Sequence, residues 1–449
     1  MFRSGRAQWV LLATAAATRF GGGVLMGTAM AVYVGREGSP LAVSAVATAY
    51  FAGLMLASPV WGALADVTGR RRAVLIATGT LATLAAAPLA VTEGVWVPVG
   101  LRGLYAVFAA GFAPVALTIA SERGGEVGRG RSLGTFNSAR SGGFAGGQFF
   151  AGLLLGAVAR PELYLVVAAL SAVSTVAAAL LVDPTDAEDG DGVEGNGAVA
   201  ADGSDSTVAP TRAELFREVK RRLFPAAGER GHFHVKGLRW LYVALAVRNV
   251  TVLGVMALMA PYLVDVVGVA EPVMGALLAV NHGTQVAGMY LLGVAADRVG
   301  RKPLIVAGMA GSGAFAVLAA AAIVPAAGAG LLGVAGPTWL GTGLARIAVA
   351  AGALFVLGVS FSAMTTGAVA FIGDVAPTGR ESELMGLRST AKGLGGVIGP
   401  TLVGGAATLA GYPAAFAVAS ALAFAAAGLA GLALVESRPA DARTAPADD

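Results

Sequence analysis

Six cations stand inside otherwise apolar stretches of this chain: Arg19, Arg102, Arg140, Arg248, Arg388 and Lys392. A charge inside a bilayer core is costly, and such residues usually mark a binding site or a pathway. Arg19 and Arg248 lie deepest, ~15 Å from one end of their stretches at helical rise. Two deep cations suit a bound anion such as a carboxylate or phosphate. The bland alternative is that each pairs with backbone carbonyls or snorkels to the interface. Arg140, Arg388 and Lys392 lie within two or three turns of an end, so snorkelling is the expectation for them. None of the 27 aspartates and glutamates falls in mid-stretch, the nearest being rim residues such as Asp66, Asp265 and Asp374. Proton coupling needs a group that changes charge, and His282, beside Asn281 and Gln285, is the candidate left. A buried histidine bonded to a neighbouring helix is the plain alternative. Tyr50, Arg102, Tyr105, His282 and Gln285 complete the candidate binding residues.

A second set of charges recurs. Gly62, Asp66, Gly69 and Arg70 return as Gly293, Asp297, Gly300 and Arg301, 231 positions later. Asp66 and Arg70, four residues apart at a helix end, can form a charge-assisted network with Glu122; Asp297, Arg301 and Asp374 repeat the arrangement. Chance carboxylates among basic loop residues are the alternative.

Elements of a particular kind must carry these residues. The chain is 56% hydrophobic and 13% charged, against about 25% charged in an ordinary soluble domain. Its apolar runs exceed twenty residues and do not alternate, which predicts membrane-spanning helices and not a barrel. Twelve spans are predicted, at about 8–34, 40–65, 73–91, 95–120, 133–158, 161–182, 238–266, 271–296, 303–326, 345–373, 384–409 and 412–435. The predicted fold is thus an all-α membrane protein with twelve helices in two pseudo-symmetric six-helix bundles. Residues 1–182 form the first bundle, 183–237 a central loop, 238–437 the second bundle and 438–449 a tail. In the loop, Asp183 to Asp205 reads as an acidic disordered linker, and Arg212 to Phe224 as an amphipathic helix on the membrane surface. His232 and His234 read as solvated loop residues. Gly143, Gly147 and Gly152 recur as Gly395, Gly399 and Gly404 at an offset of 252, and Arg140 recurs as Lys392. Such repetition predicts duplication of one unit.

Arginine and lysine cluster in alternate loops, leaving Arg36, Arg160 and Arg346 on the other side, so both termini are assigned to the cytoplasm. The tryptophans fall near span ends, as interfacial rings do. The N-terminal apolar run is too long for a secretory signal. With no cysteine, the chain has no disulfide or thiolate site. Its basic balance reflects topology, and no nucleic-acid partner, metal or cofactor is expected.

The repeated hinge, its flanking helices and the twelve-span pattern resemble the major facilitator superfamily over essentially the whole chain outside the central loop. The resemblance implies a secondary transporter, not an enzyme, that alternates between inward- and outward-open states around a midplane site. It also implies that the hinge networks latch the cytoplasmic side, each hinge aspartate lying near a helix N-terminus of the opposite half. The first and seventh helices, carrying Arg19 and Arg248, would line the cavity. Arg102 resembles the family's fourth-helix arginine, which implies that it joins His282 as a proton-coupling candidate, although Ala106 replaces the glycine usual four residues on. The antiporter glycine–proline pattern is missing from the fifth helix, which reads Gly147-Gln148, and occurs in the eleventh as Gly399-Pro400. The expected function is efflux of amphipathic compounds across the cytoplasmic membrane. Organic anion uptake or exchange is second, and a non-transporting sensor is the alternative of another class. No Gly-x-x-x-x-Gly-Lys-Ser/Thr loop supports ATP-driven pumping. Expected partners are a small-molecule substrate, the lipid bilayer and protons or another coupling ion, with the chain a monomer.

Overall fold

The computed structural model describes residues 5–123, 125–182, 235–323, 342–376 and 381–437. Side chains at 125–131, 294–297, 342 and 381–383 lie outside that description. Hence the predicted acidic linker, the amphipathic helix at Arg212 to Phe224, His232, His234, the Asp297 side chain and the tail from 438 lie outside the described residues.

All described elements are helical. They are α1 (Gly5–Glu37), α2 (Pro40–Thr68), α3 (Arg71–Ala86), α4 (Trp96–Ala109), α5 (Phe112–Arg123), α6 (Gly125–Ala157) and α7 (Arg160–Ala179). The second half of the sequence gives α8 (Leu238–Pro261), α9 (Glu271–Val299), α10 (Arg301–Ala321), α11 (Thr342–Val375) and α12 (Glu381–Ala433). Among the described residues, nine helical segments are long and apolar enough to cross a membrane. The protein is therefore an all-α, multi-pass membrane protein. α4 and α5 run together as one of these segments, Trp96–Arg123.

Local sequence sets the element ends. Ser39 accepts a hydrogen bond from the Ala42 amide, with Pro40 at the first helical position, so α2 starts there. Gly69 ends α2 with φ +63°, and Gly300 leads into α10 with φ +102°. Both hinge glycines therefore occupy backbone regions that a Cβ disfavours. The chain continues from Pro261 into a π-helical turn, Tyr262–Val267, closed by Gly268 at φ +82°. Gly411 (φ +80°, ψ +167°) divides α12 into two helices joined at a kink, with Pro413 just beyond.

The repeated glycines set the helix contacts. A Cβ on Gly143 or Gly147 would meet Ala17 or Gly21 of α1. A Cβ on Gly395 or Gly399 would meet Asn249 or Val250 of α8. Gly152 of α6 faces Glu271 and Gly275 of α9, while Gly404 of α12 faces Pro40 and Ser44 of α2. In lipid, where hydrophobic burial gives little drive, such close backbone approach is what packs helices.

The buried core is unevenly shared. Near the hinge, one apolar cluster (Leu12, Val74, Leu75, Phe112, Ile119, Phe136) draws only on residues 5–182. A second (Leu241, Leu245, Ile305, Met309, Phe371, Leu384) draws only on residues 235–437. At the opposite end, a single cluster combines both halves, including Leu25, Met30, Leu89, Tyr164, Leu258, Tyr262, Phe315 and Phe416.

Candidate functional site

A cavity of about 190 Å³ lies between the two halves of the sequence. Its first wall is α1 and α2, with Val24, Thr28, Val43, Val46, Tyr50 and Phe51. Leu253, Met256, Ala257 and Ala260 of α8 and Leu278 of α9 form the facing wall, with Arg102 of α4 and Gln148 of α6 at its polar side. Thr28 Oγ1 and Gln148 Oε1 are 2.7 Å apart, the hydroxyl donating. The wall is thus largely apolar, with a few polar groups converging at one point.

Arg102 is the cation at that point. Its Nη2 donates to the Gly23 carbonyl at 3.0 Å, and its guanidinium carbon stands 4.2 Å from the Tyr50 ring centre and 5.4 Å from that of Tyr105. Nε and Nη1 are buried without a hydrogen-bond partner. Two aromatic faces and one carbonyl therefore stabilise the charge. A Cβ on Gly27 would come within 2.8 Å of Nη2, so glycine there makes room for the guanidinium. The missing glycine at Ala106 also has an explanation. The close approach of α2 and α4 is made by Gly53, whose added Cβ would meet Gly103, Ala106 and Val107.

Arg19 and Arg248 are not among the residues lining this cavity, although α1 and α8, which carry them, both line it. Arg19 turns back among α1, α3 and α7, donating to Ser171 Oγ at 2.9 Å, with Gly79 leaving space for Nη2. Arg248 is 1% exposed and donates through Nε to Ser312 Oγ of α10 at 2.9 Å, beside Phe361 of α11 at 5.6 Å. Each arginine is buried among helices of its own half. Position along a helix gives depth but not direction around it, which is why the sequence did not separate these two arginines from Arg102.

His282 sits elsewhere again. Its ring stands 5.2 Å from Phe144 of α6, and its Nδ1 is buried without a partner. Gln285 Nε2 donates to Asn281 Oδ1 at 3.1 Å. His282 and Gln285 lie off the 190 Å³ cavity, as does Tyr105, which is 2% exposed behind Arg102.

At the hinge, Arg71 forms the ion pair with Glu122, where the sequence pointed to Arg70. In the second copy Arg301 Nε lies 3.2 Å from Asp374 Oδ2. Asp374 also accepts from Ser437 Oγ at 2.6 Å. A residue that sequence reasoning missed completes the cluster. Glu436 accepts from the backbone amides of Arg301 at 3.0 Å and Lys302 at 3.2 Å, the first residues of α10. A carboxylate there satisfies amides left open at a helix start and complements the helix dipole. Its signal was its place just past the last span, where acidic residues normally read as solvated. Asp66 is exposed in the last turn of α2.

The two halves meet at the end opposite the hinge. Arg36 pairs with Glu271 at 2.8 Å, the Leu41 amide donates to Thr408 Oγ1 at 3.0 Å, and Thr48 and Thr401 share a hydrogen bond of 2.9 Å.

Comparison with known proteins agrees with this architecture. The Major Facilitator Superfamily family description matches residues 11–328 and 241–449. No curated protein sequence matches the chain. Among solved structures, the nucleoside transporter NupG superposes with a TM-score of 0.69 at 12% identity, covering 94% of this chain and 98% of that one. A bacterial homologue of the human lysosomal transporter Spinster, in an inward-facing and unoccupied conformation, gives 0.66 at 15% identity over 100% of both chains. A D-xylose–proton symporter gives 0.67 at 13% identity, covering 97% and 99%. The chain belongs to the Major Facilitator Superfamily, and is a secondary membrane transporter working by alternating access, not an enzyme.

Proposed function

We propose that this transporter moves a small organic solute across the cytoplasmic membrane through the cavity at Tyr50, Arg102 and Gln148, with the hinge end facing the cytoplasm. One observation carries the reading. The apolar cores of the two halves are fused at the end opposite the hinge and separate at the hinge end. That is the arrangement of a carrier open toward the hinge, and rocking the halves would exchange the two conditions.

Twelve spans in two bundles, 1–182 and 238–437, joined by the loop 183–237, fit the helices. α12 holds 53 residues, or ~80 Å at helical rise, against a bilayer core of ~30 Å. Counting it twice across Gly411 raises nine spans to ten. α6 and α9 make twelve; they fall outside the nine apolar segments and carry Arg140, Gln148, Asn281, His282 and Gln285. The paired glycine contacts support duplication. Gly152 against Glu271 and Gly275 matches Gly404 against Pro40 and Ser44, with 252 positions between the glycines and 231 between their partners. Positive-inside loops put both termini in the cytoplasm.

Apolar walls fit export of an amphipathic compound. Arg102, with two unpartnered nitrogens, favours a second reading in which the solute carries an anionic group. The related folds carry different cargoes, a nucleoside and a sugar by their names, so fold does not select between these readings.

Because the chain has no cysteine, the reading can be tested cleanly. The variant Thr48→Cys/Thr401→Cys places two thiols where hydroxyls now touch. In proteoliposomes, efflux of ethidium or uptake of succinate is expected to stop on oxidation and return on reduction. Movement undiminished in the cross-linked protein defeats alternating access at this interface. Movement of no solute under any gradient points to the sensor alternative.

A further inference from the structure

We propose that Arg140, Arg388 and Lys392 form a second, hinge-side site for a small soluble organic anion carrying two or more negative charges. The inference rests on the transport reading above and narrows its substrate class.

The sequence treated these three as separate residues snorkelling to the interface. The structure gathers them. Arg140 projects from α6, and Arg388 and Lys392 from consecutive turns of α12. Lys392 lies within electrostatic range of Arg140, Arg388 and the buried Arg248 of α8. His282 of α9 feels both Lys392 and Arg140. Basic groups from four helices therefore lie within electrostatic range of Lys392. Lys392 is exposed and Arg140 and Arg388 are half-buried, so none of the three is sealed in the helix packing.

No described residue neutralises them. Among the described residues no carboxylate pairs with any of the three, and Arg140 Nε and His282 Nδ1 are buried without a hydrogen-bond partner. Repulsion between close cations opposes this arrangement, and side chains with room to separate would do so. A bound anion reverses the sign of every pairwise interaction at once. Two guanidiniums offer planar forks to carboxylate or phosphate oxygens, and the lysine adds a point charge. Phe144 lies against His282, and Phe20 stands 5.9 Å from the Arg140 guanidinium, giving apolar surface for the rest of an organic ligand. Arg140 and Lys392 occupy repeat-related positions 252 apart, so both halves contribute a cation from the same register. Such a site can receive a solute at the hinge end before it reaches Arg102.

The test uses the full-length protein in dodecyl maltoside. Thermal unfolding is followed with citrate, glycerol 3-phosphate and inorganic phosphate, against acetate and chloride at matched ionic strength. At least one multivalent anion is expected to raise the midpoint saturably, with its apparent Kd rising tenfold or more in Lys392→Gln and in Arg388→Gln and kept in Lys392→Arg. Ligand-free Gln variants should be no less stable than the parent, since a repulsion is removed. Equal stabilisation by all anions at matched ionic strength, or unchanged affinity in both Gln variants, overturns the proposal. A phosphate-bearing lipid headgroup offers the same chemistry. Citrate binding that survives in phosphatidylcholine nanodiscs but is lost when phosphatidylglycerol is added assigns the site to lipid and overturns the solute assignment. If the Thr48–Thr401 disulfide stops solute movement while no anion binds, the anion site alone falls and the transport reading stands.

Discussion

The two ends of this molecule are built from the same repeated elements and packed in opposite ways. Away from the hinge, Gly152 and Gly404 bring helices of the two halves into backbone contact, and Arg36 and Thr48 bond across the join. At the hinge, each half closes on itself: Arg71 with Glu122, and Arg301 with Asp374 and Ser437. The glycines make the contrast sharpest. A Cβ on Gly152 would collide with backbone, whereas one on Gly293 meets none of the described residues within 4 Å. Yet Gly62 and Gly293 recur as faithfully as Gly152 and Gly404. A small residue kept where no neighbour demands it is expected if a neighbour arrives in another state.

Substitution at these glycines gives the largest expected effects. Gly152→Leu drives a side chain into the α9 backbone, where overpacking costs ~1–3 kcal/mol or more. The end opposite the hinge should open, and disulfide formation in Thr48→Cys/Thr401→Cys should slow by roughly 5- to 150-fold in that background. Gly293→Leu should leave that cross-link and the unfolding midpoint unchanged, since a position with no described neighbour to overpack costs within about 0.5 kcal/mol. It should nevertheless block turnover by obstructing closure at the hinge. Normal turnover in Gly293→Leu would remove the idea that the hinge end closes around this residue.

The deep arginines give the next effect, and separate interior from cavity. Ser312→Ala leaves Arg248 Nε without its acceptor inside a packed group of helices. A lost partner for a buried donor costs about 1–3 kcal/mol. A lowered unfolding midpoint is expected, with the KM for any transported solute unchanged and Ser312→Thr restoring stability. A raised KM with unaltered stability would return Arg248 to the cavity wall.

These comparisons show what the sequence could reveal. Gly69 and Gly300 were legible because backbone with positive φ selects glycine locally. The recurrence of Gly143 and Gly147 as Gly395 and Gly399 was legible as a 252-position repeat, whereas the helix each packs against, α1 or α8, was not. Direction around a helix was not legible. One residue is a turn of ~100°, enough to exchange Arg70 for Arg71 at Glu122. The same uncertainty hid Arg19 and Arg248 in their own halves and concealed the electrostatic proximity of Arg140 and Lys392. The kink at Gly411 was anticipated as a boundary between spans, while the π-helical turn after Pro261 carried no periodic signal.

The smallest effect concerns Glu436, and it bears on what the hinge charges are for. Its Oε1 accepts from the amides of Arg301 and Ser437, both at 3.0 Å, and its Oε2 accepts from that of Lys302 at 3.2 Å. The start of α10 is thereby tied to the end of α12, beside the Arg301–Asp374 pair. Glu436→Ala removes these acceptors and should cost ~1 kcal/mol, as loss of a helix N-terminal cap does. Glu436→Gln keeps an acceptor and loses the charge, so a few tenths of that should remain lost, shrinking further in high salt. Amide hydrogen exchange at Lys302 should accelerate in the alanine variant and change little in the glutamine variant. If the hinge charges only set membrane orientation, turnover will ignore both substitutions. If they hold one face of a rocking half in shape, turnover will fall in the order of the lost protection, alanine before glutamine.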